Sequence, residues 1–297
     1  MRAVIGVQAE AVEDARSSRT LGAQREGSGI VIGADGLVLT IGYLILEAQS
    51  VWLVNDTGQR IPAQVVAYDL ATGFGLVKAL APLGIDPVPL EGGTAEATPL
   101  LIASGGSDAA VTLARLVSRR AFSGFWEYHI EGALFTTPPR RDHSGAALFN
   151  AHGQLLGVGS LFVPDAGSGG GAPTPGNMFV PVELLRPILA ELRQRGSSAA
   201  STRAWLGISC VERDGEVRVL RVNDDSPAEV AGLAPRDLIL RIDDTPVTGL
   251  DVLWKTLWAG GQPERPVQLL IRRQGQTQTI TVYTVDRAKT LKRPARI

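Results

Sequence analysis

Ser144 is the residue whose setting could support covalent chemistry. It lies in Asp142-His143-Ser144-Gly145-Ala146-Ala147-Leu148, with a glycine directly after it. A serine hydroxyl becomes a useful nucleophile only beside a group that takes its proton. The chain offers three histidines, His129, His143 and His152. His143 directly precedes Ser144 and is expected to point elsewhere in a tight turn. His152 falls in the turn Asn150-Ala151-His152-Gly153, where a solvated ring is expected. Lys78 is the cation that could make a Ser–Lys pair, but its expected place at a strand end works against it. Cys210 is the only cysteine, so the sequence holds no intrachain disulfide and no cysteine-rich metal site. No metal and no cofactor is implied. A net charge of −1 gives no strong attraction to nucleic acid or anionic membrane. No apolar stretch is long enough to span a bilayer, and Ala3 to Val7 is too short an apolar run for an export signal. As written, the chain is expected to be soluble and cytoplasmic as encoded, or periplasmic if its N-terminus is truncated.

These residues need elements to position them. Abundant glycine and proline, 34 and 18 residues, suit a chain of many turns. Short β-rich runs recur from Gly29–Ile32 to Met178–Val180, separated by turns such as Ala34-Asp35-Gly36 and Asn55-Asp56-Thr57-Gly58. That spacing favours a barrel or sandwich over a parallel sheet. Ala166 to Gly176 reads as a flexible loop. A helix is expected around Ile188, Leu189 and Leu192, with Pro187 in its first turn and Gly196 at its end. The Ser/Ala-rich stretch after Gly196 has linker composition. Beyond it, Ser226 caps a short helix with Pro227 at its first position. Thr248 and Asp251 stand at capping-box spacing before Leu253, Trp254, Leu257 and Trp258. Val267–Arg272 and Thr277–Val282 read as a closing hairpin. The expected division is an N-terminal segment 1–25, a first domain 26–196, a linker 197–203, a second domain 204–285 and a basic tail 286–297.

The second domain resembles an HtrA-type PDZ domain. The resemblance rests on Trp205-Leu206-Gly207-Ile208, Asp225-Ser226-Pro227-Ala228, Ala231-Gly232-Leu233, Pro235-Arg236-Asp237-Leu238-Ile239 and Asp243-Asp244-Thr245-Pro246-Val247, in that order. Such a domain turns the backbone N–H groups of an x-Φ-G-Φ loop toward a peptide's terminal carboxylate and pairs the peptide as an added strand. The resemblance implies a peptide site at Trp205, Leu206, Gly207 and Ile208, with Trp254 and Leu257 from the facing helix. Ile297, an apolar residue at a free carboxylate, is a candidate self-ligand for such a groove.

The first domain resembles a trypsin-like protease of the same HtrA type. Gly27-Ser28-Gly29-Ile30-Val31-Ile32, Val38-Leu39-Thr40, Gly153-Gln154-Leu155-Leu156-Gly157-Val158 and Phe179-Val180-Pro181 carry the likeness. The implied fold is mostly β, a double six-stranded β-barrel followed by the PDZ domain. The residues at the catalytic positions depart from the family. Tyr43 stands where the family has its histidine base, Gly73 where it has its aspartate, and Asp142 where a glycine donates an oxyanion-hole N–H. Ser144 keeps the nucleophile position. A tyrosine titrating near ~10 is a poor proton acceptor at neutral pH, and a glycine orients nothing.

The resemblance therefore implies a bacterial protein-quality-control protein that binds peptides or unfolded segments, with C-termini captured by the PDZ domain and with an expected loss of proteolysis. The alternative is a serine endopeptidase using Ser144 with an unconventional base. Residues 1–24 contain no aromatic residue, so the aromatic-packed trimer common in the family is not carried over.

Overall fold

Side chains that alternate between core and solvent every second residue make a strand with one buried face. Val4–Ala11 (β1) shows this: Ile5, Val7, Ala9 and Ala11 are buried while Glu10 is exposed. The computed structural model describes residues 3–90, 99–167 and 172–292. In it, β1 joins Gln24–Val31 (β2), Leu37–Ile41 (β3), Ala48–Val54 (β4), Arg60–Tyr68 (β5) and Phe74–Ala79 (β6). They close a six-stranded barrel in the order β1-β2-β3-β6-β5-β4. β1 pairs antiparallel with both β2 and β4. The segment expected to precede the first domain, residues 1–25, thus supplies a strand of that domain's barrel. A short helix, Ser18–Leu21 (α1), connects β1 to β2.

The second barrel is built from Leu100–Ser104 (β7), Ala110–Ser123 (β8), His129–Thr137 (β9), Ala147–Phe149 (β10), Leu155–Val163 (β11) and Gly176–Pro181 (β12), closed in the order β10-β11-β12-β9-β8-β7. Leu100, Ile102, Leu134, Leu148, Leu156 and Phe179 fill it. Closure removes free sheet edges. The helix Leu189–Arg195 (α2) follows and ends on Gly196, whose φ of 80° is the left-handed cap glycine tolerates. Part of the loop expected over Ala166 to Gly176, residues 168–171, lies outside the described residues. Ala166 itself is buried and its N–H donates to the Thr174 carbonyl at 2.7 Å.

Contacts divide the chain into two compact units. Both barrels' strands fall in the first, except that residues 121–131, the end of the β8–β9 hairpin, cluster with residues 199–290 in the second. The second unit contains Ala204–Trp205 (β13), Ile208–Arg213 (β14), Glu216–Val222 (β15), Leu238–Ile242 (β16), Thr245–Pro246 (β17), Pro266–Arg273 (β18), Gln276–Tyr283 (β19) and Val285–Asp286 (β20). The main sheet runs β14-β15-β16-β18-β19, so β14 is an edge strand. Its core gathers Leu206, Cys210, Val217, Ile239, Ile242, Leu253, Trp254, Leu257, Leu269 and Ile271.

Two helices flank that sheet. Pro227–Val230 (α3) begins as expected, with Ser226 Oγ accepting from Glu229 N at 3.2 Å. Leu250–Ala259 (α4) does not use the expected capping box. Its N-cap is Gly249, and the Leu250 N–H is satisfied by Glu212 Oε2 at 2.9 Å from β14. Thr248 is exposed. A carboxylate distant in sequence replaces the local threonine because either satisfies an orphan helix N–H. Two further expectations change. The stretch 197–203 is not solvated throughout, since Ser198 and Ser201 are 3% and 2% exposed. The tail from 286 begins inside the fold: β20 pairs with β13, and Arg287–Thr290 forms a 3₁₀ turn. Arg293, Arg296 and Ile297 lie outside the described residues.

Candidate functional site

The first site lies where the two barrels of the first unit meet. Ser144 sits in the turn before β10, and its carbonyl accepts the Ser28 N–H from β2 at 2.8 Å. Tyr43, in the 3₁₀ turn after β3, places Oη 2.8 Å from Ser144 Oγ and 2.7 Å from the Ser160 carbonyl. A phenol has one proton and a carbonyl can only accept. The proton therefore goes to Ser160 O, and Ser144 Oγ–H donates to the phenol oxygen. Burial pushes the Tyr43 hydroxyl up to about 12, and the hydrogen bond with Ser144 only partly offsets it. The group facing the serine is thus a neutral phenol at neutral pH.

The other positions are equally committed. Gly73 adopts φ 81°, with its N–H on the Asp69 carbonyl and its own carbonyl accepting from Gly42 N, both at 2.7 Å. It is a turn residue that closes back on β3. The buried carboxylate nearest in sequence is Asp69, which the sequence reading missed. Its Oδ2 accepts from Thr72 N and Oγ1 at 2.8 and 2.6 Å, and its Oδ1 from Ser198. Asp142 turns its carboxylate to Arg140 and to Ser104 Oγ, the latter at 2.7 Å. The Arg140 guanidinium is the main cause that holds Asp142 down at about 2. His143 Nδ1 donates to the Arg140 carbonyl at 2.9 Å, because the carbonyl can only accept. His152 is exposed. Lys78 ion-pairs with Asp35 at 2.6 Å.

Gly145 has φ 73°, and a Cβ there would stand 1.9 Å from the Ser28 carbonyl oxygen and 2.8 Å from Thr40 Oγ1. Packing between the barrels therefore demands a glycine after Ser144, whatever the serine does.

The second site is the loop between β13 and β14. The N–H groups of Leu206, Gly207 and Ile208 converge on one carboxylate. That carboxylate belongs to Glu127, in the hairpin end of the same unit. Glu127 Oε1 accepts from Gly207 N at 2.7 Å and from Leu206 N and Ile208 N at 3.2 Å. Gly207 has φ 86°, and a Cβ would lie 2.2 Å from Ser226 Cβ. Two bonds hold the loop open: Ala228 N to Leu206 O at 2.9 Å, and Asn223 N to Gly207 O at 2.8 Å. Trp205 contributes no N–H to the carboxylate. It pairs with Val285 in the small β13–β20 sheet and is 7% exposed.

The same chain segment runs along the groove. Cys210 N donates to the Phe125 carbonyl at 2.6 Å, and Trp126 bridges antiparallel to Ser209 of β14. Trp254 Nε1 on α4 donates to the Gly124 carbonyl at 3.0 Å. Trp254 therefore reaches the groove, while Leu257 belongs to the core. Desolvation pushes the Glu127 carboxyl up to about 7, opposed by Arg287 and the three loop N–H groups. The sequence signal for this occupant was local: Phe122, Phe125, Trp126 and Tyr128 crowd into seven residues of a chain that is 5% aromatic, around a lone glutamate.

Two family models match. One described as a trypsin-like peptidase domain covers residues 27–158, and one described as a PDZ domain covers residues 204–284. A probable periplasmic serine endoprotease DegP-like from Halomonas elongata is 24% identical over 281 residues, covering 88% of this chain and 56% of its own length. A protein of the same description from Chlamydia trachomatis is 26% identical over 276 residues, covering 86% and 53%. The chain spans just over half the length of these curated relatives. Among solved structures, the serine endoprotease from Yersinia pestis aligns with a TM-score of 0.56 at 20% identity, covering 96% of this chain and 94% of that one. The HtrA-type protease AlgW with tripeptide aligns with a TM-score of 0.55 at 20% identity, covering 99% and 95%. These structural likenesses bear on the fold. Among the described residues, no helix is long and apolar enough to cross a membrane.

Proposed function

We propose, from the premise that this chain belongs with the DegP/HtrA proteins as a trypsin-like peptidase domain joined to a PDZ domain, that it binds peptide segments and does not cut them. The observation that carries the reading is the Ser144 hydroxyl held by a neutral phenol. Tyr43 Oη lies 2.8 Å away and titrates at about 12. Gly73 supplies no carboxylate to orient a base, and Asp142 holds its carboxylate against Arg140 and Ser104. In a comparable serine hydrolase, loss of triad members costs on the order of 10⁶ in turnover. The retained Ser144-Gly145 pair does not argue against this, because the glycine is required by packing against Ser28.

The ligands of this reading are peptide C-termini and extended segments of unfolded proteins. Their carboxylate meets the N–H groups of Leu206, Gly207 and Ile208, and their backbone extends the sheet at β14. The test is direct. A reactive serine phosphonate should leave Ser144 unlabelled, and unfolded casein should remain intact over hours. Hydrolysis that disappears in Ser144→Ala would instead establish the second reading, a serine endopeptidase, which the names of the relatives favour.

A further inference from the structure

We propose that the hairpin end Gly124–Tyr128 is a resident ligand of the PDZ groove, with the Glu127 side chain standing in for a peptide's terminal carboxylate, so that an incoming C-terminus must displace it. The proposal rests on the reading of Leu206–Ile208 as a carboxylate receptor, and it adds that the receptor is already filled.

Four observations inside the second unit carry it. First, three successive N–H groups meet one carboxylate oxygen, the pattern a terminal carboxylate would make, and Glu127 is only 6% exposed. Second, β14 is an edge strand whose free side is taken by the Cys210 N to Phe125 O bond and the Trp126–Ser209 bridge. An edge strand offers unpaired N–H and C=O groups to any chain that can pair with them. Third, the far wall takes part: Trp254 Nε1 binds Gly124 O, so the segment lies between β14 and α4 as an added peptide strand would. Fourth, the segment is held in shape. Trp126 stacks on Tyr128 at 5.6 Å, and Phe125 meets Trp126 edge-on at 4.8 Å. Near its base, Ser123 Oγ and Glu131 bracket His129 at 2.8 and 3.0 Å, and Glu131 ion-pairs with Lys255 of α4 at 2.7 Å. A pre-shaped ligand loses little freedom on docking, so it competes well.

The occupant is nonetheless removable. Its carboxylate is one side chain on a hairpin end, and the core of the PDZ fold is drawn from residues 204–282, none of it from 121–131. A ligand that binds only the open groove has its apparent affinity reduced by the open fraction.

The experiment uses the full chain as wild type, Glu127→Ala and Glu127→Gln, each checked for a cooperative melt. Two readouts are taken: amide hydrogen exchange at Leu206, Gly207, Ile208 and Cys210, and titration with decapeptides randomised at the last four positions, carrying a free carboxylate. In Glu127→Ala, protection at the four amides should fall about tenfold or more, and apparent peptide affinity should rise by a similar factor. Glu127→Gln keeps the acceptor with no charge to desolvate, so above pH 7 it should protect the amides and exclude peptide at least as well as wild type; it carries the test if the alanine variant melts early. Lowered protection with no peptide bound by any protein supports the resident ligand while removing peptide capture from the proposed function. Unchanged protection in Glu127→Ala, peptide affinity equal in Glu127→Ala and wild type, or tighter peptide binding by Glu127→Gln than by wild type above pH 7, overturns the proposal.

Discussion

Tyr43 bridges two groups, donating to the Ser160 carbonyl and accepting from the Ser144 hydroxyl. Replacing it by phenylalanine leaves a buried carbonyl unpaired, which should cost about 1–3 kcal/mol of stability, read as a lowered urea midpoint for the barrel unit. An unchanged midpoint would mean the phenol is not structural. Gly207 is the second sensitive residue. Gly207→Val forces a β-branched residue to φ 86° with its Cβ 2.2 Å from Ser226 Cβ. Peptide binding should be abolished even when Glu127 is also removed, and residual binding sensitive to C-terminal amidation would contradict the loop's role. The third prediction concerns pH. The Glu127 carboxyl titrates at about 7 when docked, above its ordinary 4.5. Docking is therefore strongest below about 4.5 and weakens as pH rises toward 7, where the buried group must ionise. Apparent peptide affinity of the wild type should rise across that window and then level off, while Glu127→Gln stays flat. The neighbours do not mimic this. The Arg287 guanidinium opposes the rise of Glu127, and the Cys210 thiol is pushed up by burial and by Glu127 itself. Glu131 is held at about 2 by Lys255, Lys255 is raised by Glu131, and His129 is common to both proteins. A flat wild-type curve would remove Glu127 as the titrating group.

At the scale of elements, α4 shows how a helix start depends on residues far away. Glu212 reaches from β14 to the Leu250 N–H, so Glu212→Ala should destabilise the PDZ unit by about 1 kcal/mol, while Thr248→Ala should leave its melting point unchanged. The same case shows what the sequence could convey. Short-range signals were legible: Ser226 and Pro227 start α3, Gly196 ends α2, and the turn at Ala34-Asp35-Gly36 joins β2 to β3. β1 was missed although Ile5, Val7, Ala9 and Ala11 alternate with Gln8 and Glu10, because small alanines make a weak apolar stripe. Resemblance to a family leads to the expectation of Tyr43 beside Ser144, and its Oη stands 2.8 Å from the serine Oγ. Other partners distant in sequence could not be placed that way. Glu127 lies 80 residues from Gly207, and Asp69 lies 129 from Ser198. Nothing local marks Asp69 as buried against Ser198, and the aromatics around Glu127 mark a packing segment without marking the loop that receives it.

At the scale of the whole molecule, residues 121–131 come from the sequence of the trypsin-like domain but cluster with the PDZ unit. An excised PDZ domain, residues 203–286, lacks them. With its core intact, it should bind the decapeptides about tenfold more tightly than the full chain, with circular dichroism confirming its fold. Equal affinity would mean the hairpin end does not shield the groove. A competitor built into the same polypeptide also behaves differently from one that diffuses. Its local concentration is fixed by the chain's own geometry and is identical in every copy. Diluting the protein or increasing its abundance leaves the ratio of closed to open grooves untouched. The peptide level that half-opens the groove then belongs to the hairpin's sequence, Phe125-Trp126-Glu127, as a setting carried by each molecule and independent of how many molecules are present.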